Sequence, residues 1–182
     1  MRSAVGLLRH RGLAGASVSD VMTGAGLTVG GFYAHFPSKR DLAEEAVRRA
    51  MLDRRNQFLD RPGAGGWRHR LQSALRGYFT ERHRDDVQGR CPMPMAAIDA
   101  ARGGSAATVF AEEMAKMAEA FETGGDPSSP QAPRDAALGS LALMVGGMIL
   151  AHATKGTPFS AEILEAAPRY GTAALLALEG QA

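Results

Sequence analysis

Cysteine is nearly absent from this sequence: Cys91 is the only one in 182 residues. A single thiol excludes an internal disulfide and suits a reducing compartment. The histidines His10, His35, His69, His83 and His152 are scattered, and with one cysteine no metal-ligand spacing is met. Aromatic residues are only 6% of the chain, with one Trp. Sustained apolar/polar alternation is missing and β-branched runs are few, which argues against strands. There is no phosphate-binding glycine loop, nucleophile elbow or paired-carboxylate site, so the sequence points to neither an enzyme nor a cofactor. No apolar stretch followed by a small-residue cleavage site opens the chain. The expected location is the cytoplasm.

What remains is a helix-forming chain. Hydrophobic residues make up 45%, and 22 glycines among alanine-rich runs suit close helix packing. The expected class is all-α, with about nine helices. The net charge of +2 hides an asymmetry. Residues 1–90 carry 16 Lys+Arg against 9 Asp+Glu, and residues 91–182 carry 5 against 10. A basic half is the electrostatic footprint of a nucleic-acid binder, although a solvated charged face gives the same count. Ala136 to Thr154 carries no Asp, Glu, Lys or Arg and is about long enough to span a bilayer. It holds Gly139, Ser140, Gly146, Gly147 and His152 and lacks flanking aromatics, so a helix buried on nearly all sides explains it better.

The organising stretch is Ser17 to Lys39, SVSDVMTGAGLTVGGFYAHFPSK. Val18, Val21, Met22 and Ala25 fall at i, i+3, i+4, i+7, the stripe of an amphipathic helix. Ser17 and Asp20 form a capping-box pattern before it, and Gly26 stops it. Thr28 then reads as the N-cap of a second helix striped by Val29, Phe32, Tyr33 and Phe36, ended by Pro37. Two short helices joined by a tight glycine turn make a helix-turn-helix. Ser38 and Asp41 form a second capping box ahead of Leu42, Ala43, Ala46, Val47, Ala50 and Met51, in a helix reaching about Leu59. Glu44 with Arg48, and Glu45 with Arg49, are expected as i,i+4 pairs on its polar face.

The run AGLTVGGFYAHFPSKRDL resembles the signature of the tetracycline-repressor (TetR) family, bacterial one-component transcription regulators. The matching features are Ala25-Gly26, Thr28, Gly31, Tyr33, His35-Phe36, Ser38-Lys39 and Leu42. The resemblance covers roughly residues 1–50. It implies an N-terminal three-helix DNA-binding domain, taken as 1–45, and a helical ligand-binding and dimerisation domain, 46–182. The sequence begins almost inside its first helix, Ser3 to Arg11, whereas the family usually has a longer first helix and a polar arm before it.

A recognition helix puts its N-terminal residues on base edges while its neighbours grip phosphates. Thr28 can bond a base edge or phosphate, Val29 can touch a thymine methyl, and Gly30 and Gly31 let the backbone approach closely. The resemblance implies that Tyr33, His35 and Lys39 face phosphates. Ser17 offers a hydroxyl at a helix N-terminus. Against this, Ser17 and Thr28 act only as caps and His35 only packs.

Further helices are expected over Trp67–Arg84, Met95–Arg102, the segment around Phe110–Phe121, Arg134–Thr154, and a last one capped by Ser160. Pro62–Gly66, Asp85–Pro94 and Thr123–Pro133 read as breaks. The family places its effector pocket among the middle helices. There Phe110, Met114, Met117 and Phe121 face Trp67, Tyr78 and Phe79, a set suited to an apolar or aromatic effector and equally to ordinary core. Cys91, beside Arg90, resembles the electrophile-sensing cysteine of some members, or is an inert buried thiol. Leu141, Val145 and Met148 on one helix, with Ile163, Tyr170, Ala174 and Leu178 on the last, are expected to pair with their symmetry mates as a four-helix bundle. Gly139, Ala142, Gly146 and Gly147 would permit close approach there. The reading is a homodimeric, ligand-responsive repressor on a palindromic operator. The alternative is an effector or redox sensor with a vestigial DNA module.

Overall fold

A computed structural model describes residues 1–12, 16–59, 66–86, 91–104, 106–123 and 131–178. Among these there are nine α-helices, one 3₁₀ helix and no strand. The chain divides into two compact units, Met1–Arg54 with Arg90–Met114, and Arg55–Gly89 with Ala115–Ala182. Residues 90–114 thus return to the first unit, which the boundary expected after residue 45 did not include.

The first unit holds α1 (Arg2–Arg11), α2 (Val18–Gly24), the 3₁₀ helix Val29–Ala34, most of α3 (Lys39–Leu59), α6 (Pro92–Ala101) and the start of α7 (Ala107–Glu122). Ala4 and Leu8 turn inward from α1 and are fully buried. They meet α2 and α6, the two helices on which α1 packs. Ser3 Oγ donates to the Val21 carbonyl at 3.0 Å, fastening α1 to α2. Gly12 ends α1 at φ +74°, and a Cβ there would lie 2.6 Å from the Asp99 carboxylate. That close approach requires glycine. On α3, Leu42, Ala43, Ala46, Val47, Ala50 and Met51 are all buried, as their spacing predicts. Its polar face pairs differently from expectation. Arg40 meets Glu44 at 3.5 Å, Arg48 reaches back to Glu45 at 2.9 Å, and Arg49 meets Asp53 at 3.1 Å. All are exposed pairs, worth little individually. Helix α6 begins at Pro92 rather than Met95, because proline is tolerated in a first turn whose N–H groups lack partners anyway.

The second unit holds the end of α3, α4 (Trp67–Tyr78), α5 (Glu81–Asp85), the rest of α7, α8 (Gln131–Ala153) and α9 (Pro158–Ala177). The single helix expected over 67–84 is broken after Tyr78. Thr80 turns extended and its Oγ1 accepts the His83 N–H at 3.1 Å, capping a new short helix. Helix α8 begins at Gln131, inside the expected linker, of which residues 124–130 lie outside the described residues. Residues 62–65 and 87–90, expected as breaks, also lie outside them.

Helices α4, α8 and α9 pack mutually. Leu71, Leu75 and Tyr78 meet Leu141, Met144 and Met148 and, from α9, Leu164, Ala167 and Leu175, all buried. Two glycines set the helix spacing. A Cβ on Gly147 would sit 2.7 Å from the Phe79 ring, and one on Gly171 2.8 Å from Leu75 Cδ1. By length and composition α8 could cross a membrane. Its stripe of Ala137, Leu141, Met144, Met148 and Ala151 is instead buried in this core. The expected Ser160 cap is a correction: Thr157 holds the N-cap position with Pro158 behind it, and Ser160 is wholly buried.

Candidate nucleic-acid interface

The capping box that opens α2 is closed. Ser17 N–H donates to Asp20 Oδ2 at 2.8 Å and Asp20 N–H donates to Ser17 Oγ at 3.0 Å. Ser17 Oγ also donates its own proton to Asp20 Oδ2, at 2.8 Å. A phosphate only accepts hydrogen bonds, so the Ser17 hydroxyl has no proton to give it while the box holds. The turn that follows has paired 6→1 and 5→2 bonds, Leu27 N–H to Met22 carbonyl at 2.8 Å and Gly26 N–H to Thr23 carbonyl at 3.0 Å. Gly26 sits at φ +70° between them, the left-handed residue that this termination calls for.

The second element is not the expected α-helix. Val29–Ala34 is a 3₁₀ helix, and Thr28 precedes it in extended conformation without a side-chain cap bond. Gly31 N–H bonds to Thr28 carbonyl at 3.1 Å and His35 N–H to Phe32 carbonyl at 2.9 Å, both three residues apart. The segment is anchored by Phe32, which is fully buried. Its ring lies 5.1 Å from Tyr33 and 5.9 Å from Phe36, centroid to centroid. Around this anchor Thr28, Val29, Gly30, Tyr33, His35 and Lys39 are exposed, and Gly31 is half-buried. Tyr33 is 72% exposed and Val29 47%. The expected stripe therefore divides, with Phe32 inward and Val29 and Tyr33 outward. Hydroxyl, isopropyl, phenol, imidazole and ammonium are thus presented together at the start of a helix pair, the chemistry needed to meet base edges and phosphates.

Residues 1–46 match the sequence profile of the bacterial regulatory proteins of the tetR family. The whole fold is similar to solved structures. A TetR transcriptional regulator from Chloroflexus aurantiacus J-10-FL superposes with TM-score 0.76 at 24% identity, over 94% of this chain and 89% of that one. A putative TetR-family regulator from Rhodococcus sp. gives 0.72 at 20%, over 96% and 93%. One from Cytophaga hutchinsonii gives 0.72 at 19%, over 94% and 90%. The N-terminal module thus matches the tetR-family profile, and the fold of the whole chain is that of these solved regulators. No curated protein matches it in sequence.

The expected effector residues fall in both units. Trp67, Tyr78, Phe79, Met117 and Phe121 are buried in the second. Phe58, which the sequence reading passed over, joins them, 5.4 Å from Phe121 and 6.3 Å from Tyr78. His83 stacks 4.5 Å from Tyr78. Cys91, buried at 2% exposure, and the half-buried Phe110 and Met114 belong to the first. The spacing of aromatics found the stripe; the position of Phe58 at the end of a long charged helix concealed it.

The expected dimer residues also separate. Leu141 and Met148 are buried within their own subunit, as is Gly147, so they offer nothing to a partner. Val145, Ile163 and Leu178 are half-buried, while Tyr170 is 74% exposed and Ala174 is exposed. Leu138, Leu150 and Leu176, outside the expected set, are each about half exposed. A groove of about 270 Å³ runs between α8 and α9, with Gly139, Leu143, Tyr170 and Ala174 among its lining residues.

Proposed function

We propose that the protein is a homodimeric, effector-responsive repressor that binds a palindromic DNA operator and is released by an apolar or aromatic small molecule. The observation that carries the reading is the exposed set Thr28, Val29, Gly30 and Tyr33 held over buried Phe32 in a TetR-family module. Thr28 and Val29 read base edges; Tyr33, His35 and Lys39 hold the backbone. The dimer forms through the outer face of α8 and α9, where Leu138, Ala142, Leu150, Tyr170 and Ala174 are exposed. Pairing places the two recognition segments about 34–36 Å apart, one DNA turn. Effector binding near Tyr78, Phe79 and Phe121 favours a dimer state with another spacing, a shift of populations. Catalysis has no place in the proposal. The redox-sensor alternative draws no support from Cys91, whose thiol is shielded from solvent.

The test begins with duplexes selected by the protein from a random library. Tyr33→Ala and Lys39→Ala weaken selected and random duplexes about equally, and Lys39→Ala also lowers the salt slope by about one. Thr28 and Val29 substitutions change sequence preference. Lys39→Ala that altered preference and left salt dependence untouched would sink the assignment. Ala174→Arg should sediment as monomer and lose the operator with it. A wild-type chain monomeric at micromolar concentration would overturn the dimer and the palindrome together.

A further inference from the structure

The recognition segment is the wrong helix for its task. A run of six 3₁₀ residues is longer than the three or four at which such helices usually stop. At 3.0 residues per turn, Val29 and Tyr33, both exposed, project about 120° apart around the axis. At the 3.6 residues per turn of an α-helix, Val29 and Tyr33 would be only about 40° apart and would share one face. A base reader and a phosphate holder need that shared face. The C-terminal end is already half converted: the Phe32 carbonyl accepts from His35 N–H and also from Phe36 N–H, at 3.0 Å, an α-type bond. The N-terminal end has no such hold. Thr28 makes no cap bond, and nothing lies within 4 Å of where a Gly30 Cβ would be.

We propose that Val29–Ala34 winds from 3₁₀ to α when it enters the major groove, and that Gly30 sets the cost of that winding. The inference rests on the DNA-binding reading above. Glycine is among the poorest α-helix formers, and two adjacent glycines leave the free segment in the 3₁₀ form. Phe32 stays fixed in the core while the turn ahead of it widens and its rise per residue falls, shortening the segment by about 3 Å. The major groove supplies what the free segment lacks, contacts for Val29 and Tyr33 on one side. Gly30 therefore holds affinity below what the same contacts would otherwise give.

Gly30→Ala tests this because the methyl meets open space and the φ of Gly30 is not positive. Gly31→Ala is the second variant; its Cβ would meet Thr28 Oγ1 at an ordinary 3.8 Å. Cα chemical shifts of Val29–Ala34 are measured in the full chain, free and bound to a duplex that the wild type selects from a random library. Free wild type should lack α shifts in this segment and acquire them on the duplex. Each alanine should move the free shifts toward α and tighten binding by up to about fivefold, the ratio that the glycine-to-alanine helix propensity corresponds to at 25 °C. Alpha shifts already present in the free wild type overturn the proposal, as do wild-type shifts unchanged on the duplex. So does Gly30→Ala binding no better than wild type, which would instead make Gly30 a point of close approach to DNA. A chain that selects no duplex fails the DNA reading and takes this inference with it. One that binds with unchanged shifts fails this inference alone.

Discussion

Ser160→Ala should be among the most damaging small substitutions in the second unit. Ser160 is fully buried, and its Oγ donates to the Ala151 carbonyl at 2.6 Å while accepting from Arg84 Nη1 at 2.8 Å. Ala151 lies in the last turn of α8, where carbonyls have no partner within the helix. Arg84 is itself only 8% exposed, and its Nε and Nη2 bond to Asp85 at 2.7 and 3.0 Å. One hydroxyl thus satisfies a helix end and a buried guanidinium. Its removal leaves an acceptor and a charged donor without a partner in a place water reaches poorly. An orphaned buried group costs about 1–3 kcal/mol, and bonds to charged groups lie toward the upper end. The two together give about 3 kcal/mol, a melting shift of roughly 6–12 °C for a chain this long. Urea unfolding at fixed protein concentration measures it, with an unchanged m-value expected. In an Arg84→Met background the same change should cost only about 1–1.5 kcal/mol, since just the carbonyl is then orphaned. A cost below about 0.5 kcal/mol, or full additivity with Arg84→Met, would refute the relay.

Other perturbations read different parts of the molecule. The bond from Arg84, reinforced by Lys155 Nζ at 3.1 Å, holds the Asp85 carboxyl well below the usual range against the opposing effect of desolvation. A lowered carboxyl pKa gives stability that is complete above the unfolded value of about 3.9 and is lost as pH falls below it. The difference in urea midpoint between wild type and Asp85→Asn should therefore hold from pH 7 to 5 and shrink toward pH 2.5; a difference independent of pH contradicts the pair. Native Cys91, 2% exposed, should react with a disulfide reagent at least about tenfold slower than in the urea-unfolded chain, and equal rates would reopen a sensing role. Gly147→Ala, whose Cβ would crowd Phe79 at 2.7 Å, should destabilise by about 1–2 kcal/mol after its gain in helix propensity. Gly146→Ala beside it meets nothing within 4 Å and should be neutral or stabilising, so equal effects at the two positions would discredit the packing argument.

The features legible in the sequence were those decided within a few residues. Ser17 and Asp20 close a capping box because both partners sit in one turn. Gly26 takes positive φ because the chain must leave α2 there. The buried stripe of α3 follows from spacing alone. The misplacements share a cause, a local signal overridden by something distant or by a competing neighbour. Ser160 has the composition of a cap, but Thr157 and Pro158 occupy that position, and Arg84, far away in sequence, draws the hydroxyl inward. The helix over 67–84 looked continuous because Phe79 and Thr80 carry no glycine or proline; Thr80 interrupts it by bonding the His83 amide. Thr28 to Phe36 had the right apolar spacing for an α-helix, yet Gly30 and Gly31 leave it as 3₁₀.

Helix α9 shows why spacing alone could not assign faces. It carries two stripes at helical period. One is Ile163, Ala167, Tyr170, Ala174 and Leu178, the more apolar in side-chain volume. The other, displaced by about a residue, is Ser160, Leu164, Ala167, Gly171 and Leu175, sharing Ala167 with the first, and this is the one that the subunit buries. The second wins because α4 and α8 approach closely, and only glycine at 171 leaves room for Leu75 and Leu143. A tyrosine or leucine at 171 would hold the helices apart. The rest of the first stripe lies nearer the surface, with Ile163 and Leu178 half-buried and Tyr170 74% exposed at the edge of the groove shared with α8. A single small residue, Gly171, thus decides which stripe of α9 the subunit buries, and apolar spacing carries no trace of that choice.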